Sequence, residues 1–91
     1  MPVIRVRVSY QGRVQGVGFR ATARSVASRH PVTGWVRNEP DSSVTLEAQG
    51  APTAVNDFLE DLRRTMARNI RAEARADLAA VPHESAFVIE R

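Results

Sequence analysis

The hydrophobic pattern of this chain changes its period across residues 12–18, and this change most limits the folds open to it. Before that segment, apolar residues occupy every second position from Ile4 to Tyr10, which predicts a strand with one buried face. The segment itself holds three glycines in seven residues, which is typical of a loop. The apolar residues that follow have the spacing of one helical face: Phe19, Ala23, Val26 and Ala27. Pro31 is expected to stop this helix.

The same two periods continue along the chain. Residues Thr33–Asn38 predict a second strand, and a third is indicated by the alternating residues Val44, Leu46 and Ala48. A second helix is expected to open at Gly50-Ala51-Pro52, because proline is tolerated in a first turn. Its apolar face consists of Val55, Phe58, Leu59, Leu62 and Met66. Residues 87–89 predict a short final strand.

Residues 70–78 allow two interpretations. Alanine, glutamate and arginine are strong helix formers, so propensity alone would extend the preceding helix through them. However, polar residues occupy every second position from Arg71 to Asp77, a regularity that a helix does not need. We therefore predict a strand, with Pro82 ending it.

The predicted order is β-α-β-β-α-β with a short C-terminal strand. This order is typical of the α+β class with a ferredoxin-like, split β-α-β sandwich, in which two helices cover one face of an antiparallel sheet. The first and second strands then run parallel with the third between them, joined by a right-handed crossover. Their C-terminal ends meet at one edge of the sheet, so the glycine-rich loop is expected near Asn38.

Composition excludes several kinds of site. The 91 residues suit a single domain, 1–91, and contain no cysteine, so disulfides, thiolate zinc sites and a cysteine nucleophile are excluded. With only two histidines, a metal site is not expected. The lack of cysteine fits a cytoplasmic location. No signal peptide or membrane span is recognisable. The small size and the lack of a long apolar surface run favour a monomer.

The charge is a weak argument for nucleic acid. The net charge is only +3, and all 13 basic residues are arginine, so the sequence pI of about 11.0 reflects the absence of lysine more than a basic surface. Most arginines are expected on a solvated surface of mixed charge.

The glycine-rich loop runs from a strand into a helix N-terminus, which is an anion-binding arrangement. Glycines allow consecutive backbone N–H groups to point inward, and the helix end adds unpaired donors and a partial positive charge. Arg20 lies in the first helical turn, where a cation is normally unfavourable unless an anion lies between it and the helix end. A surface arginine after a purely structural turn is an equally good interpretation at this point.

Two motifs add a family resemblance. Residues 12–20, Gly-Arg-Val-Gln-Gly-Val-Gly-Phe-Arg, resemble the acylphosphatase signature G-x-V-Q-G-V-G-F-R. Residues 34–38, Gly-Trp-Val-Arg-Asn, resemble the second motif of that family at its usual separation. The resemblance implies a metal-independent hydrolase, without a cofactor, that splits acyl phosphates. Binding to nucleic acid or to a membrane is not expected from the charge and hydrophobic pattern described above.

The resemblance also implies roles for individual residues. Arg20 matches the arginine that grips the substrate phosphate, and Asn38 matches the asparagine that positions the attacking water. The phosphate cradle consists of backbone N–H groups of six consecutive residues: Gln15, Gly16, Val17, Gly18, Phe19 and Arg20.

The chain departs from the family pattern in the turn before the third strand. Ser42 stands where the family often has glycine, and a positive φ there would cost about 1 kcal/mol.

Two other functions compete with the enzyme. Ferredoxin-like sheets also bind RNA when aromatic residues lie on the open face of the sheet. In this chain, the side of the strands that points away from the core carries arginine, serine, threonine and glutamate, and we expect these residues to be exposed. A phosphate-cradle domain serving a larger carbamoyl-transfer protein, by resemblance to hydrogenase-maturation proteins, is disfavoured by the absence of a further domain.

Overall fold

A computed structural model describes residues 2–91, and its elements follow the predicted order. They are β1 (Ile4–Gly12), α1 (Phe19–Ala27), β2 (Thr33–Asn38), β3 (Val44–Gly50), α2 (Pro52–Thr65), β4 (Ile70–Leu78) and β5 (Phe87–Ile89). The strand predicted over residues 70–78 is confirmed, as is the ferredoxin-like α+β class. The helix α1 and the strand β4 each end a few residues before the proline that was expected to stop them.

The five strands form one sheet in the order β4-β1-β3-β2-β5. The β1–β3, β1–β4 and β2–β3 pairs are antiparallel, whereas β5 pairs parallel with β2. The strands β1 and β2 are therefore parallel and separated by β3, as predicted. Their C-terminal ends lie at the same edge of the sheet, which brings the loop after β1 to Asn38 at the end of β2.

Both helices cover one face of the sheet, and the core lies between them and the inward residues of the strands. The largest fully buried side chains include Tyr10, Phe19, Leu46, Phe58 and Leu62. Each such side chain contributes roughly 1.5–3 kcal/mol by burial, and this packing stabilises a chain that lacks cysteine. Within residues 2–91, no helix is long and apolar enough to cross a membrane.

The opposite face of the sheet is crossed by the segment 79–86, which joins β4 at one edge to β5 at the other. Glu84 anchors this segment, because its carboxylate accepts hydrogen bonds from the Arg5 guanidinium at 2.9 and 3.2 Å and from the Thr33 hydroxyl at 2.7 Å. The Gln49 amide adds hydrogen bonds to the backbone N–H and C=O of Val81, both at 2.9 Å. The segment thereby shields part of the outer face from water.

The prediction that this outer face exposes its polar residues is wrong for three of them. Arg5, Thr45 and Glu47 are only 3%, 8% and 6% exposed. Glu47 accepts hydrogen bonds from Arg5 at 2.7 Å and from Arg7 at 2.6 Å, so the buried charges are paired, as burial requires. This polar layer lies where an RNA-binding sheet would present aromatic rings.

We expect the Glu84 anchor to make the fold sensitive to acid. Burial acts to raise the pKa of Glu84, but hydrogen bonds from Arg5 and Thr33 outweigh it and hold that pKa below its ordinary value. The stabilisation is therefore complete above the titration range of an unfolded glutamate and is lost as the pH falls through the lower folded pKa. Glu84→Gln should lower the free energy of unfolding by about 1–3 kcal/mol at pH 7, because the buried Arg5 loses a charged partner. The free energy of unfolding, measured with urea between pH 7 and pH 3, should also fall less steeply with decreasing pH for the variant than for the original protein. The same pH dependence in both proteins would contradict this expectation.

Ser42 occupies the left-handed conformation anticipated from the turn sequence, with φ of 78°. A residue with a side chain loses roughly 1–2 kcal/mol of stability in this conformation. Glycine avoids that cost, but part of its advantage is offset because glycine loses more conformational freedom on folding. Ser42→Gly should therefore stabilise the protein by about 0.5–1 kcal/mol and raise Tm by roughly 2–6 °C in a thermal unfolding experiment. Ser25→Gly is the matched control, because the same change inside α1 should lower Tm. A lower Tm for Ser42→Gly would contradict the strain argument.

Candidate functional site

The loop between β1 and α1 is fixed to the rest of the fold at three points. The Arg13 N–H donates to the Asn69 carbonyl at 2.9 Å, and the Val14 side chain is fully buried in the core. The Gln15 side-chain amide donates to the carbonyls of Glu39 and Ser43, both at 2.8 Å. These contacts tie the loop to the α2–β4 turn and to the β2–β3 turn, so its backbone is held in place before any ligand binds.

Two glycines shape the loop that leads into α1. Gly16 and Gly18 have φ of 75° and 78°, a left-handed conformation that favours glycine. Gly18 is the N-cap of α1, with no side-chain hydrogen bond to the helix end, and the Thr22 N–H makes the first bond of the helix, to the Gly18 carbonyl at 2.9 Å. In the described part of the chain, the N–H groups of residues 15–20 donate to no protein acceptor. The loop therefore presents a set of free donors at a helix N-terminus, where anions bind well.

A cavity of about 240 Å³ opens beside this loop. Five of the residues predicted for the site line it: Gly16, Gly18, Phe19, Arg20 and Asn38. The structure thus brings together the two motifs and the two side chains that the sequence singled out. The predicted residues Gln15 and Val17 are not among its lining residues, and the Gln15 side chain instead points to the β2–β3 turn.

Arg20 and Asn38 both keep their functional groups available. Arg20 lies in the first turn of α1 and is partly buried, and within residues 2–91 its guanidinium forms no ion pair or hydrogen bond. Asn38 is the last residue of β2 and lies on the same face as the buried Val36. Its side-chain amide also makes no hydrogen bond to the described chain. A cation and an amide that line one cavity, and that have no partner among residues 2–91, are suited to binding a ligand there.

The carboxylates nearest in sequence to Asn38 are both engaged elsewhere. The Thr45 hydroxyl and the Arg37 guanidinium, which lies 3.1 Å from Glu39, hold the pKa of Glu39 below its ordinary value. Hydrogen bonds from the Ser43 hydroxyl and N–H do the same to the pKa of Asp41. Both groups are therefore weaker bases than a free carboxylate, and neither lines the cavity.

The sequence did not indicate four of the residues that line the cavity, Val14, Ala21, Ile89 and Arg91, nor the role of the Gln15 side chain. Ile89 and Arg91 line the cavity because β5 runs parallel to β2, with Val36 opposite Ile89, and so delivers the chain end to the edge that carries Asn38. The final strand was predicted, but nothing in its sequence indicated its partner or direction. The Gln15 side chain was likewise missed, because its two acceptors are backbone carbonyls that carry no sequence signal.

Metal-ligating side chains are not clustered in the part of the chain that the structure describes. Within residues 2–91, no three histidine, aspartate or glutamate side chains lie together in a way that could hold a metal ion.

The chain is similar in sequence to proteins of one family. The family model described as Acylphosphatase matches residues 6–89. A Rhizobium etli protein named acylphosphatase is 56% identical over 61 residues, which are 67% of this chain and 63% of that protein. The chain therefore matches less than two thirds of the length of this curated relative.

Solved structures give the same fold. An acylphosphatase from Bacillus subtilis matches with a TM-score of 0.85 and 26% identity, over 97% of this chain and 99% of that one. The HypF protein of T. kodakarensis matches with a TM-score of 0.84 over 97% of this chain and 12% of that chain. Its identity is 23%, so that likeness concerns the fold alone.

Proposed function

Because this chain belongs to the acylphosphatase family, we propose that it hydrolyses acyl phosphates, converting the carboxylic–phosphoric anhydride and water into a carboxylate and inorganic phosphate. The observation that carries the proposal is the cavity itself. The loop residues Gly16, Gly18 and Phe19 line it together with Arg20 and Asn38, and within residues 2–91 neither the Arg20 guanidinium nor the Asn38 amide has a protein partner. The phosphate is the part of the substrate that this set of donors would recognise.

The phosphate-binding role belongs to the loop and Arg20. The backbone N–H groups of residues 15–20 would donate to the phosphate oxygens, and the Arg20 guanidinium would add two parallel, charge-assisted hydrogen bonds. Phosphoryl transfer passes through a loose transition state whose charge is spread over the equatorial oxygens. Donors that are already fixed in place stabilise this charge without reorganising during the reaction. The anchoring of the loop by Val14 and Gln15 supports this assignment.

The water-positioning role belongs to Asn38. Its amide would hold a water in line with the bond from phosphorus to the acyl oxygen, which is the geometry that the reaction needs. The leaving carboxylate has a conjugate acid of pKa about 4, so it departs without a general acid. Glu39 and Asp41 are weakened as bases by their hydrogen bonds. The proton of the water is therefore proposed to pass to a phosphate oxygen of the substrate itself.

The test is hydrolysis of benzoyl phosphate, followed by ultraviolet absorbance with EDTA present. We expect turnover in EDTA and competitive inhibition by inorganic phosphate, which would occupy the same donors. A folded protein that binds phosphate but leaves benzoyl phosphate intact would contradict the proposal and indicate a phosphate-binding module. The absence of a cofactor, the single domain over residues 1–91 and the cytoplasmic location stay predictions.

A further inference from the structure

The two sides of the cavity come from separate parts of the chain. The glycine-rich loop and α1 supply Gly16, Gly18 and Arg20, whereas the end of β2 supplies Asn38. The proposed hydrolysis needs the phosphate on the first part and the water on the second at a fixed separation, because a displacement of about 1 Å can lower a rate by about a hundredfold. A contact that holds the loop against the end of β2 would therefore affect turnover directly.

The Gln15 side chain makes such a contact. Its amide NH2 group donates to the carbonyls of Glu39 and Ser43, both at 2.8 Å. These two residues lie just beyond the paired positions Asn38 and Val44. They are also bonded to each other, because the Glu39 N–H donates to the Ser43 carbonyl at 2.9 Å. One side-chain group of the loop therefore binds both sides of the β2–β3 turn immediately after Asn38.

This contact suits glutamine in particular. Both acceptors are carbonyl oxygens, so the nitrogen of the Gln15 amide must face them, and its two hydrogens serve one carbonyl each. An ionised glutamate would have no hydrogen to donate, and an asparagine would be one methylene shorter. Among residues 2–91, no other hydrogen bond joins residues 13–18 to residues 39–43. Gln15 is thus the hydrogen-bonded link between the loop and the strand end that carries Asn38.

We propose that Gln15 is a positioning residue that sets the distance between the phosphate cradle and the water held by Asn38. This inference rests on the proposed hydrolysis and adds a side chain that is outside the cavity lining. The loop keeps other anchors, which are the Arg13 N–H on the Asn69 carbonyl and the buried Val14 side chain. Loss of the Gln15 amide should therefore leave the cradle formed and release the turn that follows Asn38.

Steady-state hydrolysis of benzoyl phosphate by Gln15→Met tests the proposal, since methionine is unbranched and of similar length but donates no hydrogen bond. We expect kcat to fall by about tenfold to thirtyfold. The inhibition constant of inorganic phosphate should stay within about threefold of its original value, because the cradle and Arg20 remain. Gln15→Glu is a second variant of the same length, and it should lose at least as much kcat because its carboxylate faces two carbonyl oxygens.

Two results of this experiment would overturn the proposal. A phosphate inhibition constant that rises as much as kcat falls would mean that the Gln15 side chain maintains the cradle itself. Near-original kcat in Gln15→Met or in Gln15→Glu would mean that the link to the turn has no part in turnover.

Combination with Asn38→Ala separates positioning from a general loss of structure. If Gln15 acts through Asn38, the change Gln15→Met has nothing left to position once the Asn38 amide is removed. The double variant should then have a kcat within about twofold of that of Asn38→Ala alone. Losses that multiply in the double variant would show that Gln15 acts independently of Asn38, which would overturn the proposal.

Gln49→Met is the matched control. The Gln49 side chain also bonds to the backbone of a distant segment, through the N–H and the carbonyl of Val81, both at 2.9 Å. It lies on the outer face of the sheet and outside the cavity lining. The control should lower Tm without changing kcat. Equal losses of kcat in Gln49→Met and Gln15→Met would attribute both to stability and overturn the proposal.

A measurement without turnover distinguishes this inference from the proposed hydrolysis. Inorganic phosphate bound to the loop should slow hydrogen exchange of the Glu39 N–H, because Gln15 couples the loop to that turn, and Gln15→Met should remove this slowing. The Gly34 N–H, which donates to the Ala86 carbonyl at 3.1 Å at the other end of β2, reports any general stabilisation by phosphate.

The two proposals then have different outcomes. Slowing that depends on Gln15, in a protein that leaves benzoyl phosphate intact, would refute the hydrolysis and retain the link made by Gln15. Slowing that is absent from the original protein, or equally large in Gln15→Met, would overturn the positioning role even if the protein hydrolyses benzoyl phosphate.

Discussion

Replacing Arg20 with alanine is expected to lower kcat/KM for benzoyl phosphate by about a thousandfold, which corresponds to roughly 4 kcal/mol of lost transition-state stabilisation. The guanidinium makes no ion pair in the described chain, so its charge is available to the phosphate alone. Removing the guanidinium should leave the backbone N–H donors of the loop intact, but the substrate phosphate would lose the charge-assisted hydrogen bonds proposed for Arg20. The measurement is steady-state hydrolysis, with phosphate inhibition measured in parallel.

Stability separates this effect from damage to the fold. A cation in the first turn of a helix is unfavourable without a bound anion, so Arg20→Ala should keep or slightly raise Tm while activity falls. Arg24→Ala, one turn further along α1 and exposed, is the matched control and should keep near-normal activity. Arg20→Lys retains the charge but not the planar pair of donors, and we expect an intermediate loss. Activity of Arg20→Ala within about threefold of the original would refute the assigned role.

The elements of the fold were predictable because their hydrophobic periods are regular. Phe19, Ala23, Val26 and Ala27 are the buried residues of α1, as their spacing indicates. Residues 70–78 form a strand, as their alternation predicts, despite the helix propensity of their alanines. The strand β1 pairs with them and bonds to their backbone N–H and C=O groups, which offsets that propensity. Connection rules then placed β3 between the parallel strands β1 and β2, and so predicted that the loop meets Asn38 at one edge of the sheet.

The outer face of the sheet was not predictable in the same way. Arg5 and Glu47 alternate with apolar residues, and such a pattern normally indicates a solvated face. They are buried because Glu84, from a segment without any periodicity, completes an ionic network above them. A contact between residues 5 and 84 depends on where an irregular segment crosses the sheet, and no local pattern encodes that path.

The site divides along the same line. The glycines and Arg20 indicate an anion site from the local sequence alone. The left-handed conformations at Gly16 and Gly18 and the uncapped end of α1 depend only on neighbouring residues. The side-chain tie made by Gln15 and the approach of Arg91 depend on the β2–β3 turn and on the parallel pairing of β5. Those features arise from the assembled fold.

Asn38→Ala is expected to reduce kcat for benzoyl phosphate by about a hundredfold or more, while the inhibition constant of inorganic phosphate changes little. The amide is proposed to hold the water and not the phosphate, so its loss should misplace the nucleophile and leave ground-state binding intact. The side chain makes no hydrogen bond within residues 2–91, so the truncation should not disturb β2. Asn56→Ala, at an exposed asparagine of α2 outside the cavity, is the matched control for the chemical change.

Measuring kcat and the inhibition constant of phosphate separately distinguishes a role of Asn38 in positioning water from a role in binding phosphate. Asn38→Asp preserves the size of the side chain but places a carboxylate beside the bound phosphate, so it should weaken phosphate inhibition as well as turnover. For Asn38→Ala, an inhibition constant that rises in step with the loss of turnover would mean that the amide binds the phosphate, because an interaction made equally in the ground and transition states affects binding. Near-normal kcat in Asn38→Ala would remove this residue from the mechanism. Water would then have to be positioned by the loop donors or by the Arg20 guanidinium.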